Sequence, residues 1–248
     1  MTYPRTVSPE TLDVLAASDP RARRSRRDLQ RVNRIMGTRG IIIRGMQPAL
    51  RRCASNRPLR VLELGAGDGT LMLRIAQELS VSWPAVHLTL LDRLALLDPD
   101  TSTAFARLGW SVQTLSVDVV DWAAAPMPSH LPPRWDVIVT NLFLHHFDDL
   151  LLAELLSAIG ARCNWFVACE PRRAPISLIG SYLIGAVGAS RVTRDDAVLS
   201  VHAGFRGAEL STAWSGDHGD WQLQEHAAGL FSHFFCAARQ GVAAAETG

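Results

Sequence analysis

The chain has 248 residues, long for one small core and short for two full domains, so one domain with an appended segment is expected. With 48% hydrophobic and 20% charged residues it can bury a sizeable core, which excludes disordered and collagen-like classes. The near-neutral balance of 25 basic and 24 acidic residues divides unevenly along the chain. Residues 1–60 hold 14 Arg against Glu10, Asp13, Asp19 and Asp28, a net of +10; the other 188 hold 11 Arg against 20 acids, a net of −9. Every basic residue is Arg, and the lack of Lys rules out Schiff-base chemistry on lysine and the phosphate-gripping lysine of a P-loop.

Cys53, Cys163, Cys169 and Cys236 are scattered, without a C-x-x-C pair or a His at ligand spacing. They read as buried reduced thiols, and no metal site is expected. The first residues lack an apolar run of signal-peptide type, so the expected location is the cytoplasm. The longest apolar stretch, Ile176 to Ala189, is 14 residues against the ~20 of a spanning helix.

The first 58 residues read as a helical extension. Ser8-Pro9-Glu10 and Asp19-Pro20 each place a capping side chain before a proline, a helix-opening signal. Over 20–36, Ala22, Leu29, Val32, Ile35 and Met36 share an arc of about 140°, while Arg23, Arg24, Arg27, Arg31 and Arg34 share a separate arc of about 100°. One face is built to pack and another is cationic. The Arg arc suits solvent, the acidic body, or a phosphate-bearing carrier or membrane surface; nucleic acid is not expected. Gly37 and Gly40 end this helix, a second covers 41–53, and Asn56-Arg57-Pro58 is a hinge.

From 59 to 239 the pattern alternates: strands at 59–64, 86–91, 111–117, 135–140 and 164–169, with helices at 69–80, 99–108 and 149–159. Asp98-Pro99 opens one helix and Gly109 closes it; Gly160 closes another. Alternation at ~25–30 residues predicts an α/β fold, a parallel sheet covered on both faces. A long helical segment over 172–215 follows, then two strands, 221–226 and 230–238, as a hairpin. Residues 240–248 form a tail.

The densest chemical signal is Val61-Leu-Glu-Leu-Gly-Ala-Gly-Asp-Gly-Thr70, a strand running into a loop with Gly at 65, 67 and 69. Such a loop turns sharply and lets a ligand lie against bare backbone. The dinucleotide fingerprint would need Gly or Ala at position 70, which is Thr. Three further acid or amide positions follow at strand ends: Asp92, Asp118 and Asn141, at steps of 29, 26 and 23 residues from Glu63.

This arrangement resembles the class I S-adenosylmethionine-dependent methyltransferases, of the kind acting on small phenol, quinone or polyketide-type molecules. The resemblance implies a Rossmann-like doubly wound seven-stranded sheet with an antiparallel C-terminal strand, and S-adenosyl-L-methionine as cofactor. It assigns the glycine loop (Gly65, Ala66, Gly67, Gly69) and Glu63 to the methionine end. Asp92, with Arg93, is assigned to the ribose, Asp118 with Val119 to the adenine, and the Asn141 carbonyl to the ammonium. Each keeps a plain alternative: a tight turn for the glycines, a helix cap for Asp92, a simple turn at Asp118 with Asp121 as the offset acid, and a structural Glu63.

On the acceptor side, His145 and His146 lie just past the fourth strand, at the edge where open α/β sheets bind ligands. Without Lys, a base is a His or a carboxylate, and His146 is favoured slightly over His145; the pair reads equally as pocket-shaping. Glu170 and Tyr182 are candidate acceptor contacts, and the resemblance implies that the segments 1–58 and 172–215 form a lid over the acceptor. The expected reaction is O-methylation of a small hydrophobic acceptor. The alternatives are C-methylation of a quinone-type ring, a nicotinamide-dependent reductase, and a non-catalytic cofactor-binding partner protein. Neither the Asn/Asp-Pro-Pro-Tyr of the amino-methylating nucleic-acid enzymes nor the Pro-Cys of the cytosine C5 enzymes occurs, which sets those two classes aside.

Overall fold

The computed structural model describes residues 3–52, 57–80, 83, 85–126, 131–214 and 220–241. Cys53, Asn56 of the expected hinge and the Ala-rich end of the tail lie outside the described residues. Seven strands form one sheet: β1 (Leu59–Leu64), β2 (Val86–Asp92), β3 (Trp110–Ser116), β4 (Trp135–Asn141), β5 (Cys163–Pro171), β6 (Trp221–Ala228) and β7 (Ser232–Arg239). Their order is β3-β2-β1-β4-β5-β7-β6. The first five are parallel, and β7 enters antiparallel between β5 and β6.

Alternation along β1 sends Val61 and Glu63 to one face and Leu62 and Leu64 to the other. The first face is covered by α3 (Thr38–Arg52) and α4 (Thr70–Leu79), through Ile42, Met46, Met72 and Ile75. The second is covered by α6 (Val119–Ala124), α7 (Asp149–Arg162) and the Trp214 segment after α10 (Glu209–Ala213). α5 (Pro99–Arg107) packs beside β3 and opens on the Asp98 cap as expected. Both faces are dry, which explains the near-continuous apolar runs of β1, β4 and β5.

The N-terminal extension comprises one turn, α1 (Thr11–Val14), then α2 (Pro20–Met36) and α3. Asp19 caps α2 at the Arg21 N–H, and Gly37 ends it with φ 67°. Ala22 and the polar pair Ser25 and Asp28 are its buried residues, and the Arg arc is exposed. Asp28 accepts from the Ser190 N–H and the Thr193 hydroxyl at the start of α9 (Arg191–Ala203), so the packing face is sealed by hydrogen bonds as well as apolar contact.

Several expectations need correction. Ser8-Pro9 does not open a helix: α1 starts after Glu10, whose side chain is used elsewhere. Gly160 lies inside α7, where a Cβ would meet the Trp214 ring at 3.2 Å; it is a packing glycine rather than a stop. The 172–214 stretch is helical as expected, divided into α8 (Pro175–Leu183), α9 and α10, with a 3₁₀ turn at Ile184–Val187. The hairpin strands run two residues longer than expected at the end of β6 and start later at β7. No described helix is long and apolar enough to cross a membrane.

Candidate active site

β1 leads to β2 and β3 on one side, while its other neighbour is β4, so the carboxyl ends of β1 and β4 frame the switch point where open sheets bind ligands. Gly65, Gly67 and Gly69 all have positive φ (69°, 56° and 74°), a conformation that L side chains rarely adopt. At Gly65 a Cβ would also strike the Phe143 ring at 2.3 Å, whereas at Gly67 it would meet nothing within 4 Å. The loop backbone at Gly67 is therefore open to a ligand.

Three acids surround this loop. Asp92 accepts from the Gly67 N–H and the Leu94 N–H, both at 2.9 Å. Asp68 caps α4 by accepting from the Thr70 N–H at 3.0 Å. Glu63 is buried, and its Oε2 has no hydrogen-bond partner. Burial, reinforced by the charges of Asp68 and Asp92, pushes the Glu63 carboxyl well above the usual range. A buried acid under this strain favours a cationic ligand. The exit of β3 joins the same edge, since the Val117 N–H donates to the Asp92 carbonyl. There Asp118 caps α6 at the Val120 N–H, beside buried Val119.

The turn after β4 is built around Glu170. Its carboxylate, wholly buried at the end of β5, accepts from the Phe143 and Leu144 N–H groups at 3.0–3.1 Å and pairs with His145 Nδ1 at 2.9 Å. Leu142 is held at φ 49°, the sole non-glycine positive φ among the described residues, and such strain gathers at functional sites. The Nε2 of His145 faces Glu10 Oε1 at 3.3 Å. Burial would lower the His145 pKa, but the hydrogen bonds and charges of Glu10 and Glu170 raise it to about 9. Burial likewise works to raise Glu10, but His145 and the Ser200 hydroxyl hold it below its ordinary value. His146 Nδ1 pairs with Asp13 at 3.1 Å.

A cavity of about 270 Å³ lies between α2, α8 and α9, over the ends of β4 and β5. Leu29, Val32, Ile35 and Met36 supply the α2 wall, Leu183 and Ile184 the α8 side, and Leu142 and Pro171 the floor. Ser25, Thr193, Ser200, Asp196 and Glu10 are its polar points. The apolar arc read from the sequence thus faces this cavity.

The structure brings Glu63, the glycine loop (with Ala66, whose N–H donates to the Leu91 carbonyl), Asp92 and Asn141 together at the switch point. Arg93 is exposed and reaches the Asp13 carbonyl. Tyr182 is 65% exposed and outside the cavity wall, and Glu170 supports the turn beneath the cavity rather than lining it. Neither His145 nor His146 lines the cavity. Sequence reasoning passed over Glu10, Gln30 and Asn33. Gln30 bonds Asp68 and Thr70, and Asn33 accepts from Asn141 Nδ2 at 3.2 Å. These are long-range pairs with no local signal.

A profile described as "Methyltransferase domain" matches residues 38–234. The sequence has no significant match among curated proteins. The fold is similar to that of the plantazolicin methyltransferase BpumL in complex with SAH, at TM-score 0.63 and 15% identity, covering 90% of this chain and 92% of that one. It is also similar to the plantazolicin methyltransferase BamL (TM-score 0.60, 11% identity, 86% and 90% covered). The magnesium protoporphyrin IX methyltransferase of Synechocystis PCC 6803 gives TM-score 0.51 at 11% identity, with 92% and 91% covered. With the family match spanning most of the chain and the sheet order agreeing, the protein belongs to the methyltransferase-domain family and is a class I S-adenosylmethionine-dependent methyltransferase.

Proposed function

We propose that the enzyme methylates a small, largely hydrophobic acceptor held in the cavity between α2, α8 and α9, at an acceptor oxygen. The observation that carries the donor half is the buried, unpartnered Glu63 carboxyl beside Asp68 and Asp92. These residues fit S-adenosylmethionine, whose sulfonium and ammonium are the cations such an acid set favours. Glu63 and the Asn141 carbonyl would hold the ammonium, Asp92 the ribose hydroxyls, and Asp118 with Val119 the adenine; Ala66 and Arg93 flank this set. When bound, the cofactor supplies an already activated methyl group. The nicotinamide reading fares worse, because three carboxylates oppose a pyrophosphate and Asp68 already caps the α4 N-terminus that would receive it.

The chain's own task is placement and exclusion of water. The extension through α2 acts as the lid, while α3 belongs to the sheet-covering layer: α2 walls the cavity and is tied to the donor side through Gln30 and Asn33. Among the cavity's polar points Glu10 is the carboxylate fixed by His145 and Ser200, and it is placed to accept the hydrogen bond of an acceptor hydroxyl. Both nitrogens of His145 are engaged by carboxylates, so its part is to hold Glu10 and the β4 turn in place. A cavity of this size beside the donor site favours an enzyme over a non-catalytic binding partner.

Calorimetry with S-adenosylhomocysteine tests the donor half: one site is expected, abolished by Asp92→Ala. No binding by the wild type would refute it. A screen of phenols and hydroxyquinones with isotope-labelled cofactor tests the acceptor half, and NMR of the product separates O-methyl from ring-methyl.

A further inference from the structure

The side chains of Glu10, His145 and His146 converge although 135 residues separate the first from the pair, and their ligand atoms lie within 4.8 Å of one another. The two imidazoles are bracketed by three carboxylates: Glu170 on His145 Nδ1, Glu10 on His145 Nε2 and Asp13 on His146 Nδ1. We propose that Glu10, His145 and His146 form a binding site for one divalent transition-metal ion of the zinc class.

Three observations support this site. The first is the Glu10–His145 spacing. At 3.3 Å it is long for a charge-assisted hydrogen bond, which runs about 2.7–2.9 Å. It matches the ligand-to-ligand edge of a tetrahedral zinc site, about 3.3–3.4 Å for bonds of about 2.0–2.1 Å. The second is the outer ring. A metal-binding His is typically oriented by a carboxylate on its other nitrogen, and buried Glu170 does this for His145 by fixing Nε2 toward Glu10. Asp13 engages His146 in the same manner. The third is charge. Three carboxylates, Glu10, Glu170 and Asp13, surround the two imidazoles, an anionic environment that suits a divalent cation. Two imidazoles and a carboxylate select zinc or cobalt over magnesium or calcium, which prefer all-oxygen sites.

Such a metal would clip the N-terminal segment to the β4 turn, because Glu10 and Asp13 come from the extension and the His pair from the body. Since Glu10 also belongs to the cavity wall, the ion would sit at the edge of the acceptor cavity. Three protein ligands leave one coordination position for water or an acceptor oxygen. The site itself depends on no particular acceptor.

The test uses the full chain, stripped with a chelator and titrated with Zn²⁺ by calorimetry and with Co²⁺ by absorption spectroscopy. One ion per chain is expected, with the intense visible bands of four-coordinate Co²⁺. Glu10→Gln and His146→Ala should each abolish the bands, and Asp13→Asn should weaken binding about 10–100-fold. S-adenosylhomocysteine binding and circular dichroism on the same samples report folding, and His146, at the partly exposed end of the cluster, is the substitution that disturbs the core least. Absence of stoichiometric metal binding by the wild type, or bands that persist in both variants, would overturn the proposal. Metal binding without S-adenosylhomocysteine binding would uphold it while refuting the cofactor reading.

Discussion

Gln30 of α2 donates from Nε2 to Asp68 Oδ2 at 2.9 Å and to Thr70 Oγ1 at 3.2 Å, so the N-terminal helix is fastened to the glycine loop itself. Three residues on, Asn33 is bonded to Asn141 at the end of β4. One helical turn therefore touches both sides of the switch point. An extension that only shielded the acceptor would not need these bonds.

Gln30→Ala and Asn33→Ala should each weaken S-adenosylhomocysteine binding about 3–10-fold, the loss expected from one or two hydrogen bonds worth about 1 kcal/mol each. The double variant should lose more than either single one, because both bonds hold the same helix. Unchanged calorimetric affinity in the double variant would show that α2 serves the acceptor alone.

Glu63 makes the free protein's stability depend on pH. Its folded-state pKa is raised, so the folded chain holds a proton that the unfolded chain releases near the ordinary glutamate value of 4.5. Stability should then fall as pH rises from that value toward the raised one, by up to about 1.4 kcal/mol per pH unit. Glu63→Gln should flatten the slope and stabilise the free protein at neutral pH. It should also weaken cofactor binding, since the ammonium loses its acid. Chemical denaturation from pH 5 to 8, with and without S-adenosylhomocysteine, measures both effects.

The opposite sign holds at Asp136. Burial alone would raise this carboxyl, but Arg57, the Arg60 N–H and the Arg60 charge hold it below its usual value. Its contribution is present above pH 4 and is lost as pH falls through the depressed native value. Asp136→Asn should cost about 1–3 kcal/mol at pH 7 and much less near pH 2. Equal costs at both pH values would show that packing, rather than charge, is what the substitution removes.

Ala197 on α9 faces the cavity. Ala197→Trp should fill much of its volume, abolishing methyl transfer while leaving S-adenosylhomocysteine affinity within about twofold. Retained turnover would place the acceptor elsewhere.

The fold was largely legible because its determinants are local. Apolar runs at strand length, the Asp19-Pro20 and Asp98-Pro99 starts, and three glycines at alternate positions need no distant partner to act. The acids at strand ends were legible for the same reason, since parallel strands bring their carboxyl ends to one edge whatever the loops between them do. Gly160 misled because a helix stop and a packing glycine look alike until Trp214 is seen lying on it. The short α6 escaped because six residues give too little periodicity.

What the sequence determined by itself was the α/β body with its basic extension, and the ordered row Glu63, glycine loop, Asp92, Asp118 and Asn141 at the strand ends. The tertiary structure alone decided which residues line the cavity between α2, α8 and α9. Tyr182 looked suitable by composition and turns outward, whereas Glu10, read only as part of a helix-opening signal, meets His145 across 135 residues. The physical reason is that side-chain direction on a short helix or turn is set by what packs against it. For α1, α2, α8 and the turn after β4, the packing partners are one another.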